Sequence, residues 1–258
     1  MEWQEISGTS VYLPQEEVKG VIHFLGGAFV ATAPQLSYRS LLEQIGKAGY
    51  AIIATPFLNT FEHGAIAREV LNRFEFTLDR LQKSDLLKTR YLPIYGIGHS
   101  MGCKLHLLIG SLFEVERAGN ILISFNNYPV SRAIPFMEQI KMTPPFTLEF
   151  KPSPLETEEL ILKNYTIRRN LLIKFTDDNI DQTIVLNSIL KQRFAKMVAL
   201  LNLPGNHLTP ISQELSWQTG EIFNPLDAIG QWINQGMSRD LYRLQQEISI
   251  WLNPLSAF

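Results

Sequence analysis

A chain of 258 residues with 45% hydrophobic, 19% charged and 10% aromatic side chains carries enough apolar material to enclose a sizeable core, which excludes a disordered chain. Its 23 basic and 25 acidic residues leave a net charge of −2, so the basic surface of a nucleic-acid binder is not expected. The single cysteine excludes an internal disulfide framework and a cysteine-rich zinc site, and it agrees with a reducing compartment.

The first residues, Met1-Glu2-Trp3-Gln4-Glu5, have neither a basic n-region nor an apolar h-region. No apolar run approaches the roughly 18 residues of a membrane span. The expectation is a cytoplasmic protein without a transmembrane segment. In chain order, the first 15 residues predict one or two antiparallel edge strands. Residues 18–27 (V-K-G-V-I-H-F-L-G-G) form a buried-strand run that ends in two glycines. A helical pattern follows over 38–48, with Leu41, Leu42 and Ile45 at helical spacing. Residues 50–57 give a second strand. A long amphipathic helix over 65–87 has Ile66, Val70, Phe74, Leu78 and Leu81 on one face. Strands over 91–98 and 120–125 flank a helix over 101–113. A fifth strand over 171–175, a helix over 181–193 and a sixth strand over 197–201 complete the alternation. Continuous apolar strands separated by helices predict an α/β fold, with a mostly parallel sheet covered on both faces.

The interval 126–170 interrupts that pattern and holds Pro129, Pro135, Pro144, Pro145, Pro152 and Pro154. A connection this long is usually functional, so it is read as a lid or cap on a single domain spanning 1–258. Its apolar residues Ile134, Pro135, Phe136, Met137, Ile140, Met142 and Phe146 would suit an apolar acyl chain. Beyond Thr209, the tail holds Trp217, Trp232 and Trp251 and predicts a helix over 239–252.

The chemistry gathers at strand ends. The third strand runs into Gly98-His99-Ser100-Met101-Gly102 and then a helix, a G-x-S-x-G pattern in the context it requires. The turn is so tight that side chains must be absent two residues either side of the serine. A serine nucleophile needs a base, because its hydroxyl is almost never ionised near neutrality. Among five histidines, His23 in a strand, His106 on the helix after the elbow and His99 inside the elbow itself read as structural, and His63 as a pocket or solvated residue. His207, in Leu203-Pro204-Gly205-Asn206-His207-Leu208, follows the sixth strand, where a parallel sheet places working residues. The histidine needs a carboxylate to fix its tautomer. Thr176-Asp177-Asp178-Asn179-Ile180-Asp181 follows the fifth strand. Asp181 reads as a helix N-cap; Asp177 and Asp178 both fit, and Asp178 is preferred. The chain order Ser, Asp, His then fits a hydrolase triad. One oxyanion donor is the Met101 N–H, and another is expected from the loop His23-Phe24-Leu25-Gly26-Gly27-Ala28. No dinucleotide fingerprint, P-loop or metal-ligand spacing occurs. Cys103 reads as a packed small residue.

From residue 18 to 210, the strand order, the G-H-S-M-G elbow, the H-F-L-G-G loop and the G-N-H loop resemble the α/β-hydrolase superfamily. More narrowly, H-F-L-G-G-A-F, A-T-P-F and G-H-S-M-G-C-K-L-H are similar to the uncharacterised DUF1350 family of cyanobacteria and chloroplasts. That resemblance implies an α/β-hydrolase fold, and with the motifs above absent no cofactor and no metal are expected. It aligns Leu25 with the second oxyanion donor, leaving Gly26 or Gly27 as alternatives, and puts Phe24 where hydrolases often carry glycine. The expected activity is serine hydrolysis of an ester or thioester of a small, lipid-like substrate by Ser100, His207 and Asp178. The alternative is a catalytically silent member of the fold that binds a hydrophobic ligand or partner.

Overall fold

The apolar runs of the sequence become the middle of one sheet. A computed structural model describes residues 3–89, 91–130, 149–211 and 236–253. Its strands are Gln4–Ile6 (β1), Thr9–Tyr12 (β2), Gly20–Leu25 (β3), Tyr50–Ala54 (β4), Ile94–His99 (β5), Gly119–Ile123 (β6), Asn170–Phe175 (β7) and Val198–Leu203 (β8). They lie in the order β1-β2-β4-β3-β5-β6-β7-β8. The pairs β1–β2 and β2–β4 are antiparallel, as expected of the N-terminal edge, and every other pair is parallel. β3, β4, β6 and most of β5 and β7 are buried along their length, the signature of a sheet covered on both faces.

The helices are Pro34–Ser37 (α1), Arg39–Lys47 (α2), His63–Lys83 (α3), Met101–Leu112 (α4), Pro154–Asn164 (α5), Thr183–Phe194 (α6) and Gly236–Leu252 (α7). Side chains alternate across the sheet with a period of two. On one face Ile22, Phe24, Ile52, Ile97, Ile121, Ile123, Leu171 and Ile173 pack with Leu41, Leu42 and Ile45 of α2 and Leu244 and Ile248 of α7. On the other, Leu25 meets Ile66 and Val70 of α3 and Leu105 of α4. Leu122 and Leu172 meet Leu107 of α4, Ile161 of α5 and Leu186 of α6.

The interval expected to be a lid divides. Residues 131–148, which include every apolar lid residue singled out above, lie outside the described residues. The remainder belongs to the body of the domain. Ser153 caps α5 in a reciprocal capping box with Glu156, Pro154 opens the helix, and Ile161 is buried beneath it. This helix is the crossover that lets β7 lie parallel to β6. Trp217 and Trp232 also fall outside the described residues. Trp251 packs against the core, with the Arg169 guanidinium 3.7 Å from its ring centroid.

Candidate active site

Three loops from the carboxyl ends of β5, β7 and β8 converge. At the first, Ser100 sits between β5 and α4 with φ 54° and ψ −118°. A side chain held there stores roughly 1–3 kcal/mol of backbone strain. The Ser100 N–H donates to the Ile123 carbonyl at 2.9 Å, which holds the turn against β6. The glycines two residues either side are required by contact. A Cβ on Gly102 would lie 2.0 Å from the Leu25 carbonyl oxygen, and one on Gly98 would lie 2.6 Å from the Cys103 nitrogen.

At the second loop, Asp178 Oδ1 accepts the Ile180 N–H at 3.1 Å and Oδ2 faces His207 Nδ1 at 2.8 Å. Asp177 is exposed, and its backbone N–H donates to the Gly205 carbonyl at 3.0 Å. That bond ties the aspartate loop to the histidine loop. Asp181 accepts from the Thr183 N–H and hydroxyl at the start of α6, one position ahead of the N-cap Gln182. It serves the helix, as expected, from one residue earlier.

The third loop is a self-bonded turn. Gly205 adopts φ +121°, a conformation that favours glycine. The Asn206 side chain accepts the Leu208 N–H at 2.9 Å, and Thr209 Oγ1 accepts the Asn206 N–H at 2.9 Å. His207 Nε2 then lies 3.0 Å from Ser100 Oγ. The Asp178 carboxylate accepts a hydrogen bond from the Nδ1–H, so Nε2 is the acceptor for the serine hydroxyl. Burial raises the Asp178 carboxyl, but hydrogen bonding and charge attraction from His207 and the Ile180 N–H outweigh it and hold it below the ordinary carboxylate range.

A further chain of hydrogen bonds lies behind these three residues. The Gly27 N–H donates to Tyr38 Oη at 2.8 Å, Tyr38 O–H to His99 Nδ1 at 2.7 Å, and His99 Nε2–H to the His207 carbonyl at 2.9 Å. The carbonyl can only accept, which fixes the direction of every bond before it. Burial, followed by proximity to His207, pushes His99 down to about 3, so it stays neutral. Leu25 is the last residue of β3, pairs with Gly98 and is fully buried. The part of the loop that reaches the serine is Gly27, where a Cβ would lie 3.4 Å from Ser100 Cβ. Met101 opens α4, so its N–H is one of the first-turn donors left without a partner inside the helix.

A family model described as "Protein of unknown function (DUF1350)" matches residues 2–254. The chain belongs to the DUF1350 family. A search of curated proteins gives no match. Solved structures similar to this DUF1350 member include a monoglyceride lipase variant from Saccharomyces cerevisiae, 13% identical with a TM-score of 0.62, covering 98% of this chain and 94% of that one. A carboxyl esterase from Bacillus coagulans is 12% identical with a TM-score of 0.61, covering 99% of both chains. The fluorophosphonate-binding serine hydrolase FphF of Staphylococcus aureus is 11% identical with a TM-score of 0.57, covering 95% and 92%. The fold is that of the α/β-hydrolases.

The remaining histidines of this family member are buried. His23 stacks on Phe74, His106 Nε2–H donates to the Ile97 carbonyl at 3.2 Å, and His63 stacks on Phe150. His63, read from sequence as a pocket or solvated residue, is 4% exposed and opens α3. The Cys103 thiol donates to the Gly98 and Ile123 carbonyls, as a packed residue would. Among the described residues, no group of three or more His, Cys, Asp or Glu side chains could hold a metal ion, and no helix is long and apolar enough to cross a membrane. Sequence reading passed over Asn126, whose Nδ2 lies 3.1 Å from Ser100 Oγ. The available signal was its place immediately beyond a parallel strand.

Proposed function

We propose that this protein is a serine hydrolase that cleaves a carboxylic ester or thioester. The observation that carries the reading is the unbroken hydrogen-bonded line from Ser100 Oγ through His207 to Asp178, set on a strained strand-to-helix turn. Ser100 Oγ attacks the carbonyl carbon while its proton passes to His207 Nε2, and Asp178 stabilises the imidazolium that forms. His207 then protonates the departing alcohol or thiol. Water attacks the acyl-enzyme by the same route and releases the acid. The negative oxygen of each tetrahedral intermediate is held by the Met101 N–H and by the loop after β3. Within that loop the Gly27 end is favoured over Leu25. Gly27 approaches the serine, and its own N–H is given to Tyr38, which leaves Ala28 as the next donor along the chain.

An apolar acyl group is the favoured substrate class. Phe29, directly after the oxyanion loop, and Ile180, two residues after Asp178, are large exposed apolar side chains on the loops that carry the site. The structural neighbours named above include a lipase and an esterase, and that supports the same class.

Labelling by a fluorophosphonate probe tests the reading. Wild-type protein should label, and Ser100→Ala should not. A wild type that fails to label would point instead to a hydrolase-fold protein that binds a ligand and turns over nothing.

A further inference from the structure

The oxygen of Ser100 has four tetrahedral directions. One is the bond to Cβ. The proton points to His207 Nε2, 3.0 Å away, and one lone pair faces Asn126 Nδ2 at 3.1 Å. Because the serine proton is committed to His207, Oγ can only accept from Asn126, so the amide presents its NH2 group. One lone pair remains open for attack. Asn126 follows β6 whereas the Gly26-Gly27 loop follows β3, on opposite flanks of β5. Asn126 is therefore separate from the oxyanion loop.

The main chain on both sides of Asn126 is pinned. The Phe125 N–H donates to Thr183 Oγ1 at 3.2 Å, and the Phe125 carbonyl accepts the Gln182 N–H at 2.7 Å. The Asn127 N–H donates to Gln182 Oε1, and its side chain donates to the Pro154 carbonyl at 2.8 Å. A donor held this way needs little reorganisation when charge develops in front of it.

We propose that Asn126 is a catalytic residue whose amide stabilises Ser100 Oγ as it leaves during deacylation. The proposal rests on the serine-hydrolase reading. In the acyl-enzyme, Oγ is an ester oxygen and a weak acceptor. Water attacks the acyl carbon and gives a proton to His207 Nε2. The tetrahedral centre then collapses: the C–Oγ bond breaks, its electron pair goes to Oγ, and His207 Nε2 returns the proton to Oγ. The products are the carboxylic acid and free serine. Oγ gains negative charge as that bond breaks, so the hydrogen bond from Asn126 strengthens between ground state and transition state, and only such a difference accelerates a step. In acylation the same bond is already present in the resting serine, so there is less to gain. Removing the amide should therefore slow deacylation more than acylation.

Stopped-flow hydrolysis of p-nitrophenyl acetate by the full chain separates the two steps. Asn126→Ala should show a burst of about one equivalent of p-nitrophenolate, the mark of an accumulating acyl-enzyme. Its steady-state rate should then fall about 100- to 1,000-fold, the scale of losing a single donor to a developing oxyanion. The burst rate and the rate of fluorophosphonate labelling, which report acylation, should stay within about threefold of wild type. Asn126→Asp keeps the shape but presents only acceptors and a negative charge, so its steady-state rate should fall further. Should Asn126→Ala fail to label, Asn126→Asp alone decides. Equal losses in burst and steady-state rates, or no loss in either variant, would overturn the role of Asn126 while leaving the hydrolase reading intact. Absence of Ser100-dependent labelling in wild type would overturn both.

Discussion

Asp177 and Asp178 are neighbours in sequence but differ in electrostatic setting. Asp177 is exposed, while both oxygens of Asp178 accept hydrogen bonds, one of them from His207. Asp178→Asn should lower kcat by on the order of 10⁴, because the amide no longer dictates the His207 tautomer. Asp177→Asn should leave kcat close to wild type. Steady-state kinetics on the two variants check this, and a larger loss at Asp177 would reject the assignment. At this scale the motif marked Ser100 and the strand-end position marked His207. The choice between adjacent aspartates was a matter of loop register, which no periodicity encodes. Asn126, Tyr38 and His99 were less legible still. Their partners depend on which strands lie side by side, and β3, β5 and β6 become neighbours only in the sheet.

Among elements, the elbow and the start of α3 make a controlled pair. Gly102 has the Leu25 carbonyl oxygen 2.0 Å from where its Cβ would be, whereas Gly64 has nothing closer than 3.9 Å. Gly64→Ala should be neutral or stabilise by up to about 1 kcal/mol, since alanine loses less backbone entropy in a helix. Gly102→Ala should destabilise by about 1–3 kcal/mol as main chain is forced apart. At roughly 2–4 °C per kcal/mol for a chain near this size, thermal melts resolve the difference. A Gly102→Ala variant that melts with wild type and labels normally would remove the packing argument for the elbow. The strands and long helices were legible because their apolar spacing is regular. Helix α5 was hidden by the proline-rich interval around it, although Ser153-Pro154-Leu155-Glu156 spells a capping box with proline at the first helical position. The short α1 has too few residues to show a period.

Across the whole molecule, four buried histidines shape the response to acid. His63, His99 and His106 are pushed down to about 3, and His23 well below its ordinary value, with burial the largest cause in each case. Folded chains keep these rings neutral at pH values where unfolded chains protonate them. Below about pH 6.5 the unfolded state therefore binds more protons, and stability falls as pH falls. Asp178 adds a second loss at lower pH. Its depressed carboxyl contributes stability that is present above the ordinary carboxylate range and disappears as pH falls through its own lower value. Urea midpoints at pH 7.5 and 5.5 should differ clearly, with the acidic sample weaker. Equal midpoints would mean that the rings are protonated in the folded chain.

The directional chain from Gly27 through Tyr38 and His99 to the His207 carbonyl has a consequence for engineering. The loop after β3, the junction of α1 and α2, the end of β5 and the loop after β8 share one ordering of hydrogens, so none of them is an independent module. A designer who replaces the segment from Gly27 to Tyr38 with a foreign loop removes the clamp that seats the histidine loop. Grafts that carry a tyrosine to the same place keep the register of the far loop, and grafts chosen for shape alone leave an amide and a ring nitrogen stranded in the interior. The useful unit for recombination is thus the four-segment set, exchanged whole.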